Sequence, residues 1–391
     1  MNLLFLLERV NFSLLQGDSV YCKRFIYGLK EAGNQIECIA HGKLKGIKMH
    51  SPGSFKYFTQ IKTIPVANHL VKKNVDAIIN QKNFDALFVC NLICTGDNFW
   101  YRLPQPFTLK ESAHLKHIRM KAKEKGIKLF YRIEGITERN SFPAFFAGST
   151  KEAHLNELNK CDGIVTLSKA QDRILQEKYN VSNEFLAFPP SVDTQKFRKI
   201  KRNNFIKQKY YLPEFCLLYF SSTADGKELE RFFDVLALTS KEVNLIINSN
   251  PTPKLLLIAE KKKVAERVKF IGKIPDGEVI PLMSYCKAGV YLKKFNLPLG
   301  DASFMVKISE YMASGLPVIV PEMSGPIKQA GRAGIVLSED SEENAQKINS
   351  LLSENFRRKL SNKACEIAEK DFDLKKNSLK LNRFIKGIVL R

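Results

Sequence analysis

The chain of 391 residues contains no apolar run near the ~20 residues that a membrane-spanning helix needs. Its N-terminal LLFLL run ends at Glu8 and Arg9 without a cleavage-site pattern, so we interpret it as a first strand and not as a signal peptide. The eight cysteines form no C-x-x-C pair and have no histidine at zinc-finger spacing, which favours buried thiols. We therefore expect a cytoplasmic protein whose cysteines bind no metal.

The sequence also lacks the common nucleotide and nucleic-acid motifs. It has neither G-x-G-x-x-G nor a P-loop, which argues against Rossmann dehydrogenases and P-loop NTPases. No zinc-finger, RRM, KH or basic-zipper signature is present, so we expect no nucleic-acid partner. The D-x-D triplet Asp371-Phe-Asp373 lies at the start of the last predicted helix, where carboxylates favour helix capping over metal binding. No divalent metal is expected.

What the chain has in excess is positive charge. It carries 62 Lys and Arg against 40 Asp and Glu, a formal net charge of +22, which indicates an anionic partner. The denser stretches are 116–128 and 357–391. Without a nucleic-acid motif, an anionic membrane surface or a lipid-linked acceptor is the more economical partner, and a merely solvated basic surface is the alternative. Peripheral attachment to the inner face of the cell membrane, through the basic helix at 115–125, is our prediction.

The length and the pattern of hydrophobic segments predict two α/β domains. Strands alternate with helices in both halves, which favours two doubly wound parallel sheets in tandem. We place the domains at 1–190 and 191–370, with 371–391 as a C-terminal helix that packs back toward the N-terminal domain. The predicted strands are 2–7, 35–40, 86–90, 128–133, 163–166, 185–188, 216–220, 243–247, 268–271, 289–292, 318–320 and 335–337. The predicted helices are one ending at 33, then 68–80, 109–125, 151–159, 227–238, 252–263, 279–286 and 305–314, with most of 341–388.

The segment SFMVKISEYMASGLPVIV, residues 303–320, says most about chemistry. Ser303 is the predicted N-cap of a helix from Met305 to Ser314, and Gly315 stands at the C′ position that favours glycine. Lys307 and Glu310 lie on one face of this helix at i, i+3 spacing.

The start of that helix suits a diphosphate. Its backbone N–H groups, from Ser303, Phe304, Met305 and Val306, carry a partial positive charge that favours an anion. Lys307 adds a full charge, and Glu310 one turn later is suited to accept hydrogen bonds from ribose hydroxyls. The alternative is an amphipathic helix with an ordinary exposed Lys–Glu pair.

The segment resembles the donor-binding helix of GT-B glycosyltransferases, in particular family 4 (glycosyl transferases group 1), with the pattern P-x-K-x-x-E-Y-M-A-x-G-x-P-V. The matching residues are Lys307, Glu310, Tyr311, Met312, Ala313, Gly315, Pro317 and Val318. Further segments similar to the family are CDGIVTLSKAQDRILQEKYNV (161–181), FPPSVDTQKF (188–197) and KFIGKIP (269–275). The resemblance implies a GT-B fold, in which two Rossmann-like domains face a cleft, and metal-independent transfer, with retention of configuration, from a UDP- or GDP-linked sugar.

The resemblance also implies roles for residues outside this segment. Lys227 takes the place of a lysine that holds the donor diphosphate, and Lys294 would compensate for an arginine that the family has and this chain lacks. Gly17 lies in a loop that approaches the donor. Glu134 stands at or beside the place of a family histidine near the transferred sugar, where binding of an acceptor hydroxyl and a structural ion pair are equally compatible with the sequence.

One departure from the family pattern concerns the donor sugar. Many members carry E-x7-E ending at the position of Glu310, but the first position is Ala302 here, and Asp301 is one residue out of register. The implied activity is transfer to a cell-surface glycan or lipid-linked acceptor, as in capsule or lipopolysaccharide synthesis. The alternatives are a nucleotide-sugar 2-epimerase, which lacks this helix pattern, and a non-catalytic GT-B-fold protein that recruits a partner or binds an anionic membrane surface.

Overall fold

The computed structural model describes residues 1–8, 17–41, 61–64, 68–90, 113–133, 155, 158–199, 204–220, 227–293 and 302–391. These residues form two compact units. Unit 1 takes its described residues from Met1–Pro189, Leu297–Ser303 and Lys375–Arg391, and unit 2 from Pro190–Asn296 and Phe304–Leu374. The short stretch before residue 304 therefore packs within unit 1, which the sequence did not indicate.

Every strand pairing in the two sheets is parallel. The strands are β1 (Asn2–Glu8), β2 (Gln35–His41), β3 (Ile61–Ile64), β4 (Ala86–Cys90), β5 (Lys128–Arg132), β6 (Gly163–Thr166), β7 (Glu184–Ala187), β8 (Cys216–Tyr219), β9 (Asn244–Ile247), β10 (Val268–Phe270), β11 (Ala288–Val290), β12 (Val318–Pro321) and β13 (Gly334–Leu337). Their order is β3-β2-β1-β4-β5-β6-β7 in unit 1 and β10-β9-β8-β11-β12-β13 in unit 2. The predicted doubly wound α/β class is confirmed.

Helices of both units connect the strands. The described α-helices are α1 (Gly17–Glu31), α2 (Asn68–Gln81), α3 (Ala113–Glu124), α4 (Lys169–Tyr179), α5 (Thr194–Lys199), α6 (Asn204–Lys209), α7 (Lys227–Leu238), α8 (Pro253–Lys261), α9 (Asp276–Tyr285), α10 (Val306–Ala313), α11 (Ser324–Ala330), α12 (Ser341–Asn349), α13 (Glu354–Asp371) and α14 (Leu374–Val389). Within the described ranges, none of them is both long and apolar enough to cross a bilayer.

The sheet of unit 1 is buried on both faces, as parallel sheets require. On one face Phe5, Phe88 and Phe130 stack at 4.8 Å across three neighbouring strands. Phe25 of α1 and Phe384 of α14 pack edge-on against this row. The other face carries an aliphatic cluster that α2, α3 and α4 cover. Helices α3 and α14 therefore lie on opposite faces of one sheet.

Several predicted elements have the predicted bounds, and the exceptions are local. Strands β4 and β6 and helix α7 begin and end where expected. Strand β3 was not predicted, because its four residues, IKTI, are too short for a periodic signal. Helix α9 starts at Asp276, earlier than predicted, with two acidic residues in its first turn that favour a helix N-terminus. Most of the helix expected at 151–159 lies outside the described residues.

The C-terminal helices are separated by a break that involves unit 2 alone. Phe372 and Leu374 exchange backbone hydrogen bonds with Val192, at 2.8 and 2.9 Å. Asp373, the second carboxylate of the D-x-D triplet, accepts a hydrogen bond of 2.6 Å from the Thr194 hydroxyl. Residues 371–391, predicted as one helix, thus contain the end of α13, this bridge and α14.

Candidate functional site

Helix α10 begins later than the sequence indicated. The prediction of Ser303 as N-cap is wrong: the helix starts at Val306, and Met305 occupies the N-cap position in an extended conformation. The Ser303 hydroxyl accepts a hydrogen bond of 2.7 Å from the Gln171 side chain within unit 1, so it is engaged elsewhere. The carbonyl of Ala302 accepts another, of 2.7 Å, from Ser168 in the same unit.

A buried glutamine fixes the point at which α10 starts. Gln329 of α11 accepts from the Met305 backbone N–H at 2.5 Å and donates to the Met305 carbonyl at 2.8 Å. The same amide nitrogen also lies 2.8 Å from the Ser309 hydroxyl. The Met305 amide is therefore already bonded, and nothing in the sequence pattern pointed to Gln329.

The next three amides, those of Val306 to Ile308, have no acceptor within the helix, as at any helix N-terminus. Methionine has no oxygen to cap them, and among the described residues no side chain caps α10. By contrast α4, α8, α12 and α13 are capped by Ser168, Thr252, Asp340 and Ser353. Among the described residues, the first turn of α10 thus keeps three backbone N–H groups without a side-chain acceptor.

Lys307 and Glu310 form a largely buried ion pair. Lys307 Nζ lies 2.7 Å from Glu310 Oε2, and their side chains are only 19% and 5% exposed. Lys307 Nζ also lies 3.9 Å from the ring centroid of Phe220, which directly follows β8. A cation over an aromatic face gains ~2 kcal/mol when it is desolvated. This pair is therefore not the ordinary exposed one that the sequence left open.

Tyr311, the next residue, anchors α10 to the sheet. Its hydroxyl donates to the Leu218 carbonyl at 3.1 Å and accepts from the Phe220 backbone N–H at 3.0 Å. Burial raises the pKa of the Tyr311 phenol well above its usual range, so the group stays protonated. A Cβ at Gly289 on β11 would lie 2.2 Å from the Tyr311 ring, so this position has room only for glycine. Tyr311 thereby holds both Glu310 and Phe220 in place.

The helix ends at Ala313, one residue before the predicted Ser314, which is its C-cap, and the predicted C′ glycine is confirmed. Gly315 has φ +75° at the C′ position, and its N–H bonds to the Met312 carbonyl at 2.9 Å. Phe304, predicted as a donor-binding residue through its backbone, packs its ring against Phe372 at 5.8 Å.

The other predicted site residues are not brought to this pair by any contact among the described residues. Lys227 is the exposed first residue of α7. Gly17 is the first residue of α1, and its surroundings are outside the described residues. Glu134, Lys294 and Asp301 also lie outside them. Within the described ranges no three His, Cys, Asp or Glu side chains group as metal ligands would.

Unit 1 buries a cation at the carboxyl end of its sheet. Arg132, the last residue of β5, is fully buried, and its guanidinium lies 4.2 Å from the ring centroid of Tyr21 on α1. Planar guanidinium groups stack on aromatic rings in this way. Arg132 therefore joins α1 to the strand end that precedes Glu134.

Comparison with known proteins places this geometry in a class. Residues 214–354, which include α10 and most of unit 2, match the model of the family described as glycosyl transferases group 1. No curated protein gives a significant sequence match to the chain.

Solved structures resemble the chain over its full length. HepE from Anabaena, in complex with UDP and glucose, has a TM-score of 0.70 at 16% identity and covers 99% of this chain and 100% of its own. Sucrose-phosphate synthase from Thermosynechococcus elongatus reaches 0.73 at 14% identity, with 100% and 99% covered. A glycosyltransferase from Rickettsia africae reaches 0.71 at 16% identity, with 99% and 98% covered.

These similarities define the fold as GT-B. The match of unit 2 to the group 1 model adds the activity class, and the chain is a glycosyltransferase. The resemblance to GT-B glycosyltransferases of group 1, inferred from residues 303–320, is thereby confirmed.

Proposed function

We propose that this glycosyltransferase uses a UDP-linked sugar and belongs to family 4, and that it transfers the sugar with retention of anomeric configuration. Structures similar to it include HepE in complex with UDP and with UDP-glucose, which supports UDP over GDP as the donor nucleotide. The acceptor that we propose is a cell-surface glycan or a lipid-linked precursor, as in capsule or lipopolysaccharide synthesis. The enzyme would then work at the inner face of the membrane, and it needs no metal or other cofactor in this scheme.

The observation that carries the proposal is the charged first turn of α10. Lys307 is held by Glu310 on one side and by the Phe220 ring on the other, beside amides that no described side chain caps. Departure of a nucleoside diphosphate develops negative charge, and charges and dipoles already in position stabilise it without reorganisation. Lys307 and the amides of Val306 to Ile308 supply both.

Glu310 has two functions in this scheme. It fixes Lys307 in the absence of donor, and it accepts hydrogen bonds from the ribose hydroxyls when the lysine turns toward the phosphates. Because Met305 already bonds to Gln329, we move the phosphate-binding amides from Ser303–Met305 to Val306–Ile308. Lys227 and Lys294 are proposed as further phosphate ligands, Asp301 and Gly17 as contacts of the donor, and Glu134 as a contact of the acceptor or the transferred sugar.

Donor binding tests this proposal directly. Titration calorimetry with UDP should give saturable binding that Lys307→Ala and Glu310→Ala each weaken ~10-fold or more, as expected for hydrogen bonds to charged groups. The matched controls are Lys363→Ala and Glu366→Ala, which remove a second Lys–Glu pair of the same spacing on α13. Equal losses in both pairs, or no UDP binding by the wild-type protein, would refute the assignment of α10. The configuration of the product, read by NMR, tests retention separately.

A further inference from the structure

The last helix, α14, and the two residues that follow it carry charge of one sign only. Residues 374–391 contain six Lys or Arg and no Asp or Glu. The apolar side chains of one face pack into unit 1: Ile388 Cδ1 lies 2.9 Å from the position that a Cβ on Gly163 would take, and Phe384 packs on Phe130. The exposed residues of this stretch are Lys375, Lys376, Leu379, Lys380, Arg383, Lys386, Gly387, Leu390 and Arg391. We call them the α14 face.

Among the described residues, acidic side chains neutralise only part of this charge. Arg391 pairs with Glu184, and Lys376 has a contact of its own. Among the described residues, no acidic side chain pairs with Lys375, Lys380, Arg383 or Lys386. Unpaired cations along one exposed helix surface create a local positive potential that attracts an anionic partner.

Two large aliphatic side chains lie in the middle and at the end of this cationic surface. Leu379 is 43% exposed and Leu390 is 84% exposed. A leucine that is exposed to water between lysines contributes no favourable free energy. Its transfer to the acyl boundary of a bilayer is favourable, and the anionic headgroups pair with the neighbouring lysines. Surfaces that bind single-stranded nucleic acid instead combine cations with exposed aromatic rings for base stacking, and the α14 face exposes no aromatic residue.

Helix α3, the surface that the sequence favoured for membrane contact, is less suited. Its Lys121 is paired with Glu124 at 2.6 Å, and His117 is paired with Asp76 at 2.8 Å. Because α3 and α14 cover opposite faces of the same sheet, one flat surface meets one of them and not both.

We infer that the α14 face docks unit 1 on an anionic lipid bilayer, with the helix axis along the surface and Leu379 and Leu390 in the headgroup region. This inference goes beyond the proposed sugar transfer and does not depend on the donor site.

Vesicle binding tests it. The full-length protein should co-sediment with vesicles of phosphatidylcholine mixed with phosphatidylglycerol, less so as salt rises, and poorly with phosphatidylcholine alone. The variant Lys375→Glu/Lys380→Glu/Arg383→Glu/Lys386→Glu should lose ~100-fold or more in affinity, since each basic residue near the surface adds several-fold. The matched control on the other face, Lys116→Glu/Lys123→Glu/Lys125→Glu, should bind like the wild type. If the control loses binding and the α14 variant keeps it, the inference is wrong.

A second pair of variants covers the possibility that charge reversal disturbs folding. Leu379→Ser/Leu390→Ser leaves the net charge unchanged and should bind anionic vesicles several-fold more weakly, with UDP binding retained. Leu390→Trp should show a blue-shifted emission on anionic vesicles, measured against the single native tryptophan, Trp100. An unshifted spectrum, or tighter binding to duplex RNA than to the vesicles at the same salt, would overturn a lipid partner.

Discussion

Two helices of unit 2 each carry a Lys–Glu ion pair with the same sequence spacing, but the two pairs differ in burial. Lys307–Glu310 on α10 and Lys363–Glu366 on α13 are both i, i+3 pairs, with N–O distances of 2.7 and 2.6 Å. The side chains of the first pair are 19% and 5% exposed, and those of the second are 44% and 62% exposed. Sequence spacing therefore does not separate the two, whereas burial does.

The difference in burial changes how much each ion pair contributes to the stability of the fold. An exposed pair gains little, because water screens its charges and both long side chains lose freedom. A buried pair costs desolvation that its mutual attraction repays only with good geometry, so it is weak evidence for a stabilising role. Lys307 is also held over Phe220 at a helix start that no described side chain caps. These features support the donor-binding role that we propose for α10.

The largest effect on activity should come from removing the charge of Lys307 while keeping its aliphatic chain. Lys307→Met should lower kcat/KM for the donor by ~10²–10³-fold, the loss typical of one group that stabilises developing charge. Lys363→Met should leave kcat/KM within about twofold of wild type. Steady-state kinetics with UDP-glucose and a set of acceptors would measure both. Similar losses of kcat/KM in the two variants would contradict a specific role of α10 in donor binding.

A smaller effect, on stability, should come from the residue that makes room for Tyr311. Gly289→Ala places a Cβ 2.2 Å from the Tyr311 ring and should lower the free energy of unfolding by about 3 kcal/mol, the upper end for overpacking. Gly277→Ala on α9 is the control, because a Cβ there meets nothing within 4 Å. It should leave stability unchanged or raise it slightly, since alanine favours helix. Urea denaturation gives both values. A neutral Gly289→Ala would mean that Tyr311 is not a fixed anchor.

The fold was accessible from the sequence because its signals are periodic and local. Buried strands such as ALFVC of β4 are recognisable in the sequence as short apolar runs. Gly315 follows α10 in a left-handed conformation that glycine favours, so it indicates where the helix ends. The start of α10 was misplaced because Ser303 is bonded by Gln171, more than a hundred residues away in sequence. Gln329 and Phe220 were missed for the same reason: their roles come from tertiary contacts, which no spacing encodes.

The smallest predicted effect concerns the exposed Lys363–Glu366 pair of α13. The hydrogen bond from Lys363 lowers the pKa of the Glu366 carboxyl below its ordinary value. A lowered pKa means that the pair stabilises the fold above the unfolded-state pKa, and that this contribution is lost as the pH falls through the folded-state value.

Lys363→Met should therefore raise the pKa of Glu366 toward normal, as NMR titration of the side-chain carboxyl would record. The Tm at pH 7 should stay within error of wild type, because both side chains are well exposed and screened. Any loss of Tm should vanish in acid, where the carboxylate is protonated in both proteins. A large drop at pH 7 that persists in acid would show that α13 depends on the lysine stem for packing, and the pair would then be a poor control for α10.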